Sequence, residues 1–139
     1  MRTGATLIEL TVVIAIVAIM AAVGLPPLIS AHDHASVRSA TTDLVAVLAR
    51  ARHSAVLGGR RVAVRFDTAA ARVLVIAGAD TLGVHPLRAT HGVSLATSRD
   101  SITYGPLGVG YGASNTTITL SRRAATDTVI ISRLGRVRH

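Results

Sequence analysis

Several residue types are missing or scarce in this sequence. It has no cysteine, lysine or tryptophan, it has one phenylalanine and two tyrosines, and Glu9 is the only glutamate among its seven acidic residues. The lack of cysteine excludes disulfide bonds, thiolate zinc sites and a cysteine nucleophile. Half of the 139 residues are nevertheless hydrophobic, which excludes a disordered chain. The length allows one domain, or one small domain with an appendage.

The hydrophobic residues are concentrated near the N-terminus. Leu10 to Ile29 is a run without any charged residue. As a helix it would be about 30 Å long, which matches the hydrocarbon core of a bilayer. The run has no polar stripe of the kind that a soluble helix presents to water, so it predicts a transmembrane helix. The alternative is a secretory signal peptide cleaved near Gly24, but Glu9 lies in the apolar stretch, where such peptides normally exclude acids.

The segment from Gly4 to Ile16 resembles the N-terminal signal of type IV pilins and type II secretion pseudopilins. That signal has a short basic leader that ends in glycine, a glutamate five residues later and an uninterrupted apolar helix. The resemblance implies that a prepilin peptidase cleaves after Gly4 and methylates the new terminus at Ala5, where the family usually has phenylalanine. It also implies a helix bend at Pro26, although the second proline, Pro27, departs from the family pattern.

A glutamate at position 9 has a physical use in such a protein. After cleavage, Ala5 would carry a cationic amine at the start of an apolar helix. When these helices bundle in a filament, Glu9 of one subunit would neutralise the amine of its neighbour, because a lone buried charge is strongly unfavourable. We therefore expect Glu9 to set the register of assembly. The alternative is that Glu9 is solvated at the lipid headgroups.

Beyond the apolar run, the spacing of apolar residues predicts that the helix continues to Leu57. These residues recur every three or four positions, which is the period of a helix with one buried face. They are Val37, Thr41, Leu44, Leu48, Ala51 and Ala55. Gly58 and Gly59 then predict the end of the helix, because glycine adopts the left-handed conformation that ends helices.

After Gly59 the apolar residues alternate, which predicts strands. Val62, Val64 and Phe66 share one face of the first strand. Further strands are predicted at residues 72–76, 93–96, 101–104, 116–120 and 128–132, with a hairpin connection between the first two. The fold class is therefore α+β, a long N-terminal helix packed on a small, mostly antiparallel sheet domain. The predicted segments are a leader at 1–4, a transmembrane helix at 5–30, its amphipathic continuation at 31–58 and a β-rich domain at 59–139.

The second half of the chain also resembles a known family. The resemblance is carried by Gly59–Val62, by the glycine-rich Tyr104–Gly108 and by Ile130–Arg138, which look like GspH/FimT-type minor pilins. It implies the pilin fold and a minor subunit that helps to initiate or cap a type II secretion pseudopilus or a type IV pilus. The implied partners are other pilins, the prepilin peptidase and the inner-membrane assembly platform. The implied location is the bacterial inner membrane, with one span and a periplasmic C-terminal domain.

The sequence gives little support to a phosphate-binding loop, a metal site or an enzyme active site. The glycine-rich segment 105–112 lacks the Lys-Ser/Thr ending of a phosphate-binding loop, so we expect a flexible loop between strands. His32, Asp33 and His34 lack further metal ligands, and we expect a solvated polar collar there. His85 and His91 are also expected to be solvated. No nucleophile motif is present, and the sequence predicts neither an enzyme nor a cofactor.

The charge of the chain leaves one other function open. Its formal net charge is +8, and all 15 basic residues are arginine. A C-terminal cluster is formed by Arg122, Arg123, Arg133, Arg136 and Arg138. Arginine binds phosphate through two parallel hydrogen bonds, and a Gly-Arg-x-Arg tail like Gly135–Arg138 is linked with DNA uptake in some FimT-type pilins. The alternatives are a DNA-binding minor pilin, arginines that are merely solvated, and an exported soluble β domain with a discarded signal peptide.

Overall fold

The structure is a computed structural model that describes residues 6–111, 115–132 and 134–139. These residues form helices α1 (Leu7–Leu57) and α2 (Leu87–His91) and strands β1 (Val62–Asp67), β2 (Arg72–Ala77), β3 (Asp80–Pro86), β4 (Ser94–Thr97), β5 (Ser101–Tyr104), β6 (Gly110–Tyr111), β7 (Thr116–Arg122), β8 (Ala125–Ile131) and β9 (Val137–Arg138). The chain divides into a first unit that ends at His32 and a second, compact unit, Asp33–His139.

The first unit is the N-terminal part of α1. All of its described residues, from Thr6 to His32, are exposed. Helix α1 continues through Pro26 and Pro27. The bend expected at these prolines stays a prediction, and its physical basis is the backbone hydrogen bond that each proline removes.

In the second unit, α1 buries one face against the strands. Each of the six positions in the predicted stripe is buried, which confirms the helical period read from the sequence. Ala40 and Val47 extend this face, and Leu44 and Leu48 are completely inaccessible to solvent. Fully burying a side chain such as leucine contributes about 1.5–3 kcal/mol, so this stripe is a major source of the unit's stability.

Helix α1 ends where the glycines predict. The N–H of Arg60 donates to the carbonyl of Ala55 at 3.2 Å, and the N–H of Gly59 donates to the carbonyl of Val56 at 3.3 Å. This pair of hydrogen bonds is the Schellman motif, and it satisfies carbonyls that the helix end leaves without partners. Gly59 has φ +57°, a left-handed conformation that a residue with a Cβ adopts only with strain.

The strands form two antiparallel sheets. The order is β3-β2-β1-β5-β6 in the five-stranded sheet and β4-β7-β8-β9 in the four-stranded sheet. In the first sheet, Val64 of β1 pairs with Val75 of β2 and with Ile102 of β5. These inward-facing residues join the helix stripe and the apolar residues of β7 and β8 in one core. The α+β class, with a long helix packed on antiparallel sheets, is thereby confirmed.

The structure adds elements that the sequence did not predict. Strand β3 and helix α2 occupy residues 80–91 and contain His85 and His91. The glycine-rich segment contains strand β6, whose Tyr111 pairs with Thr103 of β5. The interpretation of the whole segment as a flexible loop was therefore wrong at its end, while Gly112 lies outside the described residues.

Candidate functional site

The N-terminal part of α1 is suited to a membrane. It is the one helix among the described residues that is long and apolar enough to cross a bilayer, and none of its most apolar stretch is buried within the protein. Large apolar side chains such as Ile19, Met20 and Val23 are more than 60% exposed. Soluble proteins rarely expose apolar surface on this scale, so the segment requires lipid or other protein surfaces around it.

Glu9 lies in the first turn of α1. Its backbone N–H donates to Oγ1 of Thr6 at 3.3 Å, so Thr6 caps the helix. The Glu9 carboxylate is exposed and has no ionic partner within the part of the chain that the structure describes. Gly4 and Ala5, the predicted processing positions, lie outside the described residues.

The start of the second unit holds a buried carboxylate between two arginines. Asp33 is 4% exposed, its Oδ1 lies 2.8 Å from Nε of Arg122, and its Oδ2 lies 3.1 Å from Nη1 of Arg123. Burial by itself raises the pKa of Asp33, but the hydrogen bonds and positive charges of Arg123 and Arg122 outweigh it and lower the pKa below its usual value. The expectation of a solvated collar was therefore wrong for Asp33, although His32 and His34 are exposed.

Arg122 extends this cluster to two other elements. Its Nη1 donates to Oγ of Ser36 at 3.1 Å and to the carbonyl oxygen of His91 at 2.7 Å. The ring of His91 in turn lies 2.7 Å from Oδ2 of Asp43 and is only 12% exposed. The prediction of a solvated His91 was wrong, because α2 brings this ring against α1. The network fastens α1, α2 and the β7–β8 hairpin together.

The five arginines of the predicted C-terminal cluster do not share one environment. Arg122 and Arg123 form ion pairs with Asp33, and Arg133 lies outside the described residues. Arg136 and Arg138 are exposed beside and on β9, and neither has a carboxylate partner among the described residues. Any phosphate binding by this cluster is therefore expected at Arg136 and Arg138.

Sequence reasoning missed the Asp33 cluster because its members lie about 90 positions apart. No local spacing signals such a contact. The available signal was Asp33 itself, since a carboxylate at the end of an apolar run requires a partner when it is buried. Within residues 6–111, 115–132 and 134–139, no three histidine or acidic side chains are grouped as a metal site would require.

The arrangement of one long helix on two antiparallel sheets is the pilin fold. It is similar to crystal structures of the type IV minor pilin FimU of Pseudomonas aeruginosa strain PAO1. One has a TM-score of 0.63 and 19% identity, with 73% of this chain and 86% of that chain covered. A second crystal form has a TM-score of 0.60 and 18% identity, with coverages of 73% and 90%.

A third similar structure is the minor pseudopilin EpsH from the type 2 secretion system of Vibrio cholerae. Its TM-score is 0.59 and its identity is 14%, with 74% of this chain and 94% of that chain covered. No curated protein matches the chain in sequence.

The family follows from the sequence of the second unit. The model of the type II transport protein GspH matches residues 40–135, well over half of the chain. The protein belongs to the GspH family and is a minor pilin or pseudopilin of the GspH/FimT type. Members of this class are structural subunits and not enzymes, and they assemble with other pilins. Family and apolar helix together fit a protein anchored in the inner membrane.

Proposed function

We propose that this protein helps to initiate or cap a type II secretion pseudopilus or a type IV pilus. The observation that carries the proposal is the uncharged segment Leu10–Ile29, which is left unburied on the same helix that forms the core of a GspH-family unit. A subunit of this design is held in the inner membrane by that segment before assembly and packs it against other pilin helices afterwards. The second unit lies on the periplasmic side.

Processing completes the anchor in this proposal. The prepilin peptidase cleaves after Gly4 and methylates the amine of Ala5, and the assembly platform then extracts the subunit from the membrane. The support is the Gly4-to-Ile16 pattern, in which a glycine and a glutamate five residues apart precede an uninterrupted apolar run. Ordinary signal peptides normally exclude acidic residues from their apolar stretch, so they do not account for Glu9.

Glu9 acts as the assembly residue. Its carboxylate is exposed at the start of an apolar helix and lacks an ionic partner in the described part of the chain. In a bundle of such helices, the carboxylate would leave water, and the free energy cost is offset only by an opposite charge. The amine of Ala5 on a neighbouring subunit supplies that charge and fixes which helices lie side by side.

The experiment is to replace Glu9 by leucine in cells that make the other subunits of the filament. We expect Glu9→Leu to insert into the membrane at the wild-type level and to be lost from sheared filaments, because the amine of its neighbour has no partner. Thr11→Val is the matched control, since it removes a polar group from the next turn without changing charge. Incorporation of Glu9→Leu at the wild-type level would contradict the role of Glu9.

A second candidate function is DNA binding during natural transformation. The observation that favours it is the exposed face of the four-stranded sheet next to Arg136 and Arg138. Ile130 pairs with Arg138 on one side and with Thr117 on the other, and the neighbouring exposed positions Thr126 and Thr128 also carry hydroxyls. Arginines and hydroxyls are groups that contact the phosphates of nucleic acids.

A further inference from the structure

A cleft in the second unit lies between α1 and the C-terminal residues. It has a volume of about 400 Å³, and its apolar walls come from Val45, Ala49 and Val56 on the helix and from Tyr104, Gly135 and Val137 opposite them. The cleft is mostly apolar, unlike the Asp33 cluster and unlike the exposed arginines beside and on β9.

Tyr104 contributes its ring to the wall of the cleft. The side chain is 1% exposed, and its hydroxyl has no hydrogen-bond partner within the described residues. Gly135, at φ +75°, lets the C-terminal turn pass closely over the ring, because a Cβ there would lie 3.0 Å from Cε1 of Tyr104. Burial raises the pKa of Tyr104 to about 12 against the opposing charge of Arg52, so the ring stays uncharged and its buried hydroxyl presents no polar group to the cleft.

The cleft contains one positive charge and no negative one. Arg52 lines it, and no acidic residue does. The β5–β6 turn lies against Arg52, since a Cβ on Gly108 would be 3.0 Å from its Nε, and this turn presents Leu107 at 82% exposure. No carboxylate pairs with Arg52 among the described residues. The cleft and its surroundings therefore match an apolar segment that also carries negative charge.

The composition of the chain argues against a second copy as that partner. Because the chain has a net charge of +8, two copies repel each other. Each copy also has only seven acidic residues against 15 arginines, so it offers few carboxylates to Arg52. A different subunit with acidic residues is the better complement, and electrostatic complementarity of this kind selects partners and orients them.

The geometry points to the cleft as the docking site for an acidic, apolar segment of a different subunit in the same filament. An apolar side chain of that segment fills the space beside Val45 and Ala49. Its carboxylate pairs with Arg52. This inference rests on the proposed function, because it needs a filament with unlike subunits.

The test places a photoreactive phenylalanine analogue at position 107 of the full-length chain, in cells that make the other filament subunits. Leu107 is 82% exposed on the turn that lies against Arg52, so the analogue can reach a segment bound at Arg52 without filling the cleft. We expect a crosslink to a different subunit, within a segment that contains an aspartate or glutamate. A crosslink to a second copy of this chain would overturn the inference.

Charge-reversal variants test whether the crosslink depends on Arg52. Arg52→Glu is expected to abolish the crosslink, and reversing the acidic residue in the crosslinked segment to arginine is expected to restore it. Arg50→Glu is the matched control, because Arg50 lies on the same helix, lines a separate groove and changes the charge by the same amount.

The failure of this inference is distinguishable from failure of the proposed function. A chain that enters filaments but gives no crosslink at position 107, or gives one that survives Arg52→Glu, overturns the role of the cleft alone. A chain that never enters filaments overturns the proposed function, and the inference with it.

Discussion

Asp33 and Arg122 form a 2.8 Å ion pair between the first residue of the compact unit and the last residue of β7. Asp33 follows the end of the apolar run by four residues. The pair therefore connects the β7–β8 hairpin to the first residue of α1 that belongs to the second unit. The pair is part of a network with Ser36 and His91, so it fixes the hairpin in more than one direction.

Asp33→Asn is expected to lower the Tm of the second unit. The change leaves Arg122 and Arg123 without the carboxylate that balances their charge, and removing one partner of a buried pair is strongly destabilising. Thermal unfolding of the full-length protein in detergent, followed by circular dichroism, measures the loss. Asp80→Asn is the control, because Asp80 is 74% exposed in its pair with Arg60 and such pairs contribute at most about 1 kcal/mol. Equal effects of the two changes would contradict the structure.

Acid is expected to remove the contribution of Asp33. Its pKa is lower in the folded than in the unfolded chain, so the unfolded chain binds the proton more readily. The stabilisation is therefore complete above the unfolded pKa, about 4, and is lost as the pH falls through the lower, folded pKa. The difference in Tm between wild type and Asp33→Asn is expected to shrink below about pH 4. A difference that grows on acidification would contradict this sign.

Leu48→Ala is expected to destabilise the second unit by about 2–5 kcal/mol, because Leu48 is completely buried where α1 meets the sheets and its truncation leaves a cavity. Leu57→Ala is the matched control on the same helix. Leu57 is 74% exposed, so its truncation is expected to change the free energy of unfolding by less than about 0.5 kcal/mol. Denaturant titration measures both values. Similar losses for both variants would mean that the buried face of α1 is misassigned.

The DNA-binding alternative has a quantitative test. If Arg136 and Arg138 contact phosphates, replacing both by alanine reduces the salt dependence of DNA binding. The slope of log K against log salt concentration is expected to fall by roughly 2, about 0.9 for each lost contact. Replacing Arg65 and Arg88, which are exposed elsewhere on the unit, is the control. An unchanged slope in the Arg136 and Arg138 variant would rule out these residues as the DNA site.

The sequence was informative where a structural element imposes a period. The helix stripe and the alternation of Val62, Val64 and Phe66 were predicted correctly because each places apolar side chains on one buried face. Strand β3 was missed because it is an edge strand, and its residues are exposed or only half buried. It therefore lacks the alternation that marks a half-buried strand.

The contacts that hold the site together could not be predicted from the spacing of neighbouring residues in the sequence. Asp33 and Arg123 lie 90 positions apart, and Asp43 and His91 lie 48 positions apart. Such pairs exist only after the sheets have packed on α1, so the spacing of residues along the chain carries no record of them. Strands β6 and β9 have two residues each, which is too short for any periodic signal.

The mass of the N-terminal peptide, from protein extracted from native membranes, tests the central claim most directly. We expect the mass of a peptide that begins at a methylated Ala5, as the proposed removal of the leader at 1–4 would produce. The processing and the assembly role of Glu9 both depend on it. A peptide that begins near Leu25, with the protein in the soluble fraction, would show an ordinary signal peptide and an exported soluble domain, and would contradict the account.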